Sequence, residues 1–220
     1  PKPTWPTSIS CSRKTRSNPH AAHDMIGGAV FSYEAIRQEK ATLRQAVLAR
    51  RDAADAGSRG LNSRIITKKL CAQPGYRAAS VVAAYASFGS EFDTAEFLAR
   101  ILADGKQLLL PRINRDMRAL ELRHVVDPDT DLMAGVWGIR EPAPRCPVIS
   151  PIAVQFMLVP GVAFTSAGAR LGYGGGYYDG LMFELGPRAA RIAAAFSLQM
   201  VDKLPEGTRD RRVDRVITES

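Results

Sequence analysis

Apolar positions recur at helical spacing from Tyr33 to about Ala56, where Ile36, Leu43, Val47 and Leu48 sit among strong helix formers and Gly57 supplies a stop. Ser58 then reads as the N-cap of a second helix running to about Leu70. The pattern changes at Ser80–Ala86 (SVVAAYA), a short apolar run with β-branched residues near its start, which predicts a buried strand. Asp93, Thr94 and Glu96 open a helix to Asp104, and Gln107–Leu110 is a second buried strand halted by Pro111. Ala119–Val125 alternates as a strand, and 135–142 reads as a loop. Val154–Val159 is a third buried strand ending at Pro160 and Gly161. A short helix from Tyr177 to Leu185 and strands at Ile192–Phe196 and Val213–Thr218 complete the series. Buried strands alternating with helices predict a three-layer α/β/α single domain with a mainly parallel sheet, its ligands near the C-terminal strand ends.

Residues 1–32 break this pattern. They hold Pro1, Pro3, Pro6 and Pro19 among scattered Ser, Arg and Lys, and are expected to form a disordered extension before a domain spanning 33–220. Their Arg and Ser bias is faintly like that of an organelle transit peptide, without a secretory hydrophobic region. Over all 220 residues, 45% hydrophobic and 24% charged positions supply a normal core and exclude wholesale disorder. The formal net charge of +8 raises nucleic acid, membrane surfaces and anionic small molecules as partners. Cys11, Cys71 and Cys146 are odd in number and far apart, so reduced thiols in a cytoplasmic protein are expected rather than a disulfide framework or a zinc site. His20, His23 and His124 form no ligand pattern. The longest apolar stretch, Ile152–Phe164, is interrupted and too short to span a bilayer.

Glycine changes the picture more than charge. Of 18 glycines, seven (161, 168, 172, 174, 175, 176 and 180) fall in one twenty-residue window. Without Cβ atoms such a segment can turn its N–H groups inward, and the N-terminus of the following helix adds positive potential. Arg170 stands before the densest part and Asp179 after it, the layout that a nucleotide phosphate and its metal ion require. The spacing is neither the dinucleotide G-x-G-x-x-G nor a P-loop, and a glycine-rich turn or flexible lid would use the same residues without a ligand.

The run VPGVAFTSAGARLGYGGGYYDGL, from Val159 to Leu181, resembles the hallmark of the 5-formyltetrahydrofolate cyclo-ligase (methenyltetrahydrofolate synthetase) family. Other landmarks follow in the family's order. KATLR at Lys40–Arg44 resembles its N-terminal K-x-x-L-R, and YASFGSEFDT at Tyr85–Thr94 its Y-x-S-x-x-x-E-x-x-T. Pro111–Arg112, WGIREP at Trp137–Pro142 and DRRVD at Asp210–Asp214 match further segments, so the likeness runs from about Glu39 to the C-terminus.

That resemblance implies an ATP- and Mg²⁺-dependent ligase that converts 5-formyltetrahydrofolate into 5,10-methenyltetrahydrofolate through a phosphorylated formyl oxygen, releasing ADP and phosphate. It implies that Lys40 and Arg44, one helical turn apart, contact ATP phosphates together with a loop of Arg170, Leu171, Gly172, Tyr173, Gly174, Gly175, Gly176, Tyr177 and Tyr178. Asp179 and Asp210 are the implied Mg²⁺ ligands. Phe88, Glu91, Trp137 and Tyr177 are the implied folate contacts, and Arg170, Tyr177 and Asp179 the catalytic set. Two positions depart from the pattern. Tyr173 and Gly175 stand where some members carry basic residues, and Arg209 stands where the family often has His or Asn, placing a cation that could pair with Asp210. The expected partners are ATP and the folate, with neither nucleic acid nor membrane, and the expected form is a monomer. A catalytically inactive nucleotide- or RNA-binding relative on the same fold is the alternative reading of the basic charge; a sugar-phosphate isomerase, which needs no ATP, is a third.

Overall fold

A computed structural model describes residues 33–135 and 138–220. Trp137 and the extension expected at 1–32 therefore lie outside the described residues. The chain begins with two long helices, α1 (Tyr33–Ala53) and α2 (Ala56–Cys71), and the short α3 (Pro74–Ala78). A strand and helix, β1 (Val81–Ala83) and α4 (Ala95–Ala103), lead to the hairpin β2 (Gln107–Asn114) and β3 (Ala119–Val125). A short α5 (Pro128–Asp131) precedes β4 (Leu132–Ala134), β5 (Arg140–Pro142) and β6 (Val148–Ile149). The remaining elements are β7 (Phe156–Val159), β8 (Ala163–Phe164), β9 (Arg170–Leu171), α6 (Tyr177–Glu184), β10 (Ala190–Ala194) and β11 (Arg215–Ile217).

Seven strands form one sheet in the order β11-β10-β7-β1-β2-β3-β6. The first five run parallel, while β3 and β6 are each antiparallel to their neighbours. The expected mainly parallel sheet is present, with an antiparallel margin. Strand alternation explains the two cores. Val82, Leu108, Leu110, Phe156, Leu158 and Ile192 point to one face and pack with Ile66 and Leu70 of α2 and Phe97 and Ile101 of α4. Ala83, Leu109, Met157, Val159 and Ala193 point to the other and meet Leu181 and Met182 of α6. Helices thus cover both faces of the sheet. A third, smaller cluster joins Val47 of α1 to Val162, Ala163, Ala169, Leu171 and Leu204. No helix among the described residues is long and apolar enough to cross a membrane.

Several boundaries differ from the sequence reading. The cap of α2 is Asp55, whose carboxylate accepts the Ser58 N–H at 2.7 Å, so Ser58 lies inside the helix and Gly57 does not end one. Strand β2 continues through Pro111 to Asn114, because past Leu109 it has β3 as its sheet neighbour and an open side where proline is tolerated. Part of the expected loop at 135–142 is strand: β4 and β5 pair antiparallel, with Met133 opposite Glu141.

Candidate active site

The parallel strands deliver their C-terminal ends to one edge of the domain. Strand β7 runs out into Pro160 and Gly161, and β8 and β9 pair as a small antiparallel hairpin with Phe164 opposite Arg170. The hairpin carries the glycine loop at 172–176, and α6 begins immediately after it. Leu171 is buried in the cluster beneath the hairpin and its carbonyl accepts the Val162 N–H at 2.7 Å, so it anchors the loop. A Cβ on Gly172 would stand 2.7 Å from Arg170 Nη1, so the arginine can lie against the backbone there only because the residue is glycine.

Arg170 is buried, at 8% exposure. Its Nη2 donates to Asp179 Oδ1 at 2.7 Å, and its Nη1 reaches the Pro160 carbonyl at 3.2 Å. Its Nε is buried without a partner. The same Asp179 oxygen accepts the Arg211 N–H at 3.0 Å. One residue earlier, Asp210 accepts the Gly207 N–H at 2.6 Å and forms a close ion pair with Lys40 of α1. The cation pairing with Asp210 is thus Lys40, not the neighbouring Arg209. Arg44, a turn further along α1, donates from Nε to the Gly172 carbonyl at 2.9 Å. Burial pulls the Arg44 guanidinium below its ordinary value.

Among the described residues no cluster of three or more metal-ligating side chains occurs. Asp179, which accepts the N–H of Arg211, and the neighbouring Asp210 are carboxylates of the kind that could hold Mg²⁺. That ion usually takes one or two carboxylates and completes its shell with phosphate oxygens and water. Each of these carboxylates faces a cation from the expected phosphate-binding set, Arg170 or Lys40.

A second group of side chains lies beside the loop. Glu91, following β1, is 8% exposed, and its Oε2 accepts the Phe88 N–H at 3.1 Å. Its Oε1 accepts the hydroxyl of Tyr173, from the middle of the glycine loop. The Tyr173 ring also packs near Phe88, with centroids 5.7 Å apart. Burial pushes the Glu91 carboxyl up, opposed by the Tyr173 hydroxyl and then by the positive charge of Arg51. Tyr173, Tyr85 and Tyr178 are each pushed well up, first by burial and next by the charge of Glu91, so all three remain protonated. Tyr177 is half-buried and rests against Gly175, where an added Cβ would stand 2.8 Å from its ring. Away from the loop, Arg112 Nη1 donates to the Pro142 carbonyl at 2.6 Å, joining two landmarks distant in sequence.

The structure brings Lys40, Arg44, Arg170, Tyr173, Asp179 and Asp210 into one connected set, with Glu91 and Phe88 reached through Tyr173. Arg51 and Ser90 belong to the same network and were not singled out from the sequence. The available signal was spacing: Lys40, Arg44, Val47 and Arg51 follow one face of α1.

A model of the 5-formyltetrahydrofolate cyclo-ligase family matches residues 36–219. The chain belongs to that family. It is 29% identical to the mitochondrial 5-formyltetrahydrofolate cyclo-ligase of Arabidopsis thaliana, over 85% of this chain and 76% of that protein. A probable 5-formyltetrahydrofolate cyclo-ligase of Caenorhabditis elegans is 27% identical over 70% of this chain and 80% of its own. Among solved structures, the NMR structure of Aquifex aeolicus 5,10-methenyltetrahydrofolate synthetase superposes with a TM-score of 0.73 at 32% identity, covering 82% of this chain and 89% of that one. Membership makes this cyclo-ligase homologue an enzyme of folate metabolism, on the same α/β fold as its structural neighbours.

Proposed function

We propose that this enzyme closes 5-formyltetrahydrofolate to 5,10-methenyltetrahydrofolate, consuming ATP with Mg²⁺ and releasing ADP and phosphate. A formamide oxygen is a poor nucleophile, and the oxygen that must depart is a poor leaving group. Transfer of the γ-phosphoryl group to the formyl oxygen, with cleavage of the ATP β–γ bridge, makes that oxygen departable. The neighbouring anilino nitrogen then forms the new C–N bond and loses its proton as phosphate leaves. Such chemistry asks chiefly for positioning and charge neutralisation.

The observation that carries this reading is the reach of Tyr173. One residue of the glycine loop touches Glu91, so a phosphate cradle and a buried carboxylate suited to pterin N–H groups lie within a single side chain of each other. That proximity is what phosphoryl transfer between two bound ligands requires. Arg170, Lys40 and Arg44 would neutralise the phosphates, alongside backbone N–H groups of the loop. Asp179 and Asp210 would hold Mg²⁺, which would supply positive charge against the phosphates. Glu91 would orient the pterin, with Phe88 and Tyr177 against the rings.

The test is direct. Purified protein given 5-formyltetrahydrofolate should develop the absorbance of methenyltetrahydrofolate when ATP and Mg²⁺ are both present, and none when either is withheld. Absence of product in the complete mixture refutes the assignment, and product without ATP refutes the phosphoryl-transfer route.

A further inference from the structure

Arg51 is the most deeply buried cation of α1, at 3% exposure, and lies beyond the phosphate-facing pair Lys40 and Arg44. All three of its guanidinium nitrogens donate. Nε donates to Ser90 Oγ at 3.0 Å, and Nη1 and Nη2 both donate to the Tyr173 hydroxyl oxygen at 3.1 Å. Ser90 in turn donates to Asp52, the next residue of α1, and Tyr173 donates onward to Glu91. The guanidinium therefore grips the residue preceding Glu91 on one side and the hydroxyl that binds Glu91 on the other.

We propose that Arg51 is a positioning residue for the folate site, holding Glu91 in place and ionised through the Tyr173 hydroxyl and Ser90. The proposal rests on the reading of Glu91 as the pterin-binding carboxylate. A carboxylate removed from water favours its neutral form unless donors and positive charge compensate. Besides the Phe88 N–H, four titratable side chains bear on Glu91 or are acted on by it: Arg51 from α1, Tyr85 after β1, Tyr173 from the glycine loop and Tyr178 from α6. The three tyrosines are neutral, so Arg51 is the one cation among them. Burial works against its own charge, but Tyr173 and Glu91 more than restore it. An Arg fork suits this task because its donors are fixed in a plane and remain charged when buried.

The sign of the pH effect follows. Ionised, the carboxylate offers both oxygens and a negative charge to pterin N–H groups; protonation turns one oxygen into a donor, so folate affinity falls as pH drops through the Glu91 midpoint. Removing Arg51 takes away a cause that lowers this midpoint, and the acid limb moves to higher pH. With Arg51→Met in the full chain, calorimetric titration of 5-formyltetrahydrofolate should show affinity weakened about tenfold at neutral pH. The acid limb should rise by about one pH unit. Arg51→Lys, keeping the charge but not the fork, should recover part of both. Binding of Mg²⁺-ATP should change by less than about threefold, since the hydrogen bonds from Arg51 to the loop end on the Tyr173 hydroxyl.

Carboxyl ¹³C NMR of ligand-free protein, with the Glu91 resonance identified by its loss in Glu91→Gln, should show the same upward displacement of the Glu91 titration. If wild type binds folate while Arg51→Met binds it equally well with an unmoved limb, the proposal is overturned. Equal loss of folate and ATP binding also overturns it, because that is the mark of a merely structural residue. If wild type does not bind the folate at all, the reading of the site falls instead, and the NMR titration alone decides whether Arg51 governs Glu91. Should Arg51→Met fail to fold, Tyr173→Phe breaks the same relay at its centre. An unmoved Glu91 titration in that variant refutes it.

Discussion

The contact that fixes the C-terminal segment against the β8–β9 hairpin gives a prediction in which strain and close approach can be separated. Gly168 has φ +81°, and a Cβ built on it would lie 2.1 Å from the carbonyl oxygen of Val213. The same residue accepts the Val213 N–H at 2.9 Å, three residues beyond Asp210. Gly168→Ala therefore carries two costs. Left-handed backbone costs an alanine about 1–2 kcal/mol. Displacing Val213, which is buried, loses a backbone hydrogen bond and some core contact, adding about 1–2 kcal/mol. Gly105→Ala supplies the reference: its φ is +68° but nothing lies within 4 Å of the added Cβ, so it should show the strain alone. Urea unfolding should place Gly168→Ala about 3 kcal/mol below wild type and Gly105→Ala about half as far. Gly168→Ala should also raise the KM for ATP, because Asp210 and its Lys40 pair ride on the displaced segment. Equal destabilisation by the two substitutions, with an unchanged KM, would refute the reasoning.

Two further predictions concern the ion pair and the core. Arg170→Met and Asp179→Asn should each lower turnover by about 100-fold or more, as each removes charge from the proposed phosphate site. Because the two groups are bonded to each other at 2.7 Å, the double variant should lose far less than the product of the single losses; a strictly multiplicative result in steady-state kinetics would show that they act separately. Phe156→Ala removes a fully buried ring that contacts Tyr76 and Phe97, with centroids 5.7 and 6.4 Å away, and should cost about 3–5 kcal/mol in chemical denaturation while leaving kcat per folded molecule intact. A loss below about 1 kcal/mol would mean that the core closes around the deletion.

Much of the fold was legible because its strands are buried on both faces. The residues of β1 and β7 are continuously apolar, β10 is apolar from Ile192 onward, and the helix opened by Asp93 and Thr94 carries a local signal of its own. Elements defined by tertiary pairing escaped. Strands β8 and β9 have two residues each, too few to show a period, and the first lies within a longer apolar stretch. At the site, the glycine loop with Arg170 and Asp179 stood out because those residues lie within ten positions of each other. Lys40 and Asp210 are 170 residues apart, and no local pattern announces their pairing. Arg51 was hidden for a different reason. In a helix crowded with Lys and Arg, which cation turns inward is decided by what the rest of the chain brings to meet it.

The position of α1 has a consequence for how the protein is made. Apart from Ser90, the contacts described for it lie far along the chain: Gly172 and Tyr173 in the glycine loop, Leu204 in the small cluster, and Asp210. During synthesis this helix leaves the ribosome before any of them exists, so Val47 lacks its cluster partners until the segment from Val162 to Leu204 follows. Closing so long a span is slow compared with pairing adjacent elements. A nascent chain halted before Gly207 would already contain β1, β2, β7 and β10, yet it would lack Asp210 and the partner of Lys40. Most of the sheet can thus be complete while the proposed nucleotide end of the site is still missing, and translation must pass Asp210 before that end can form.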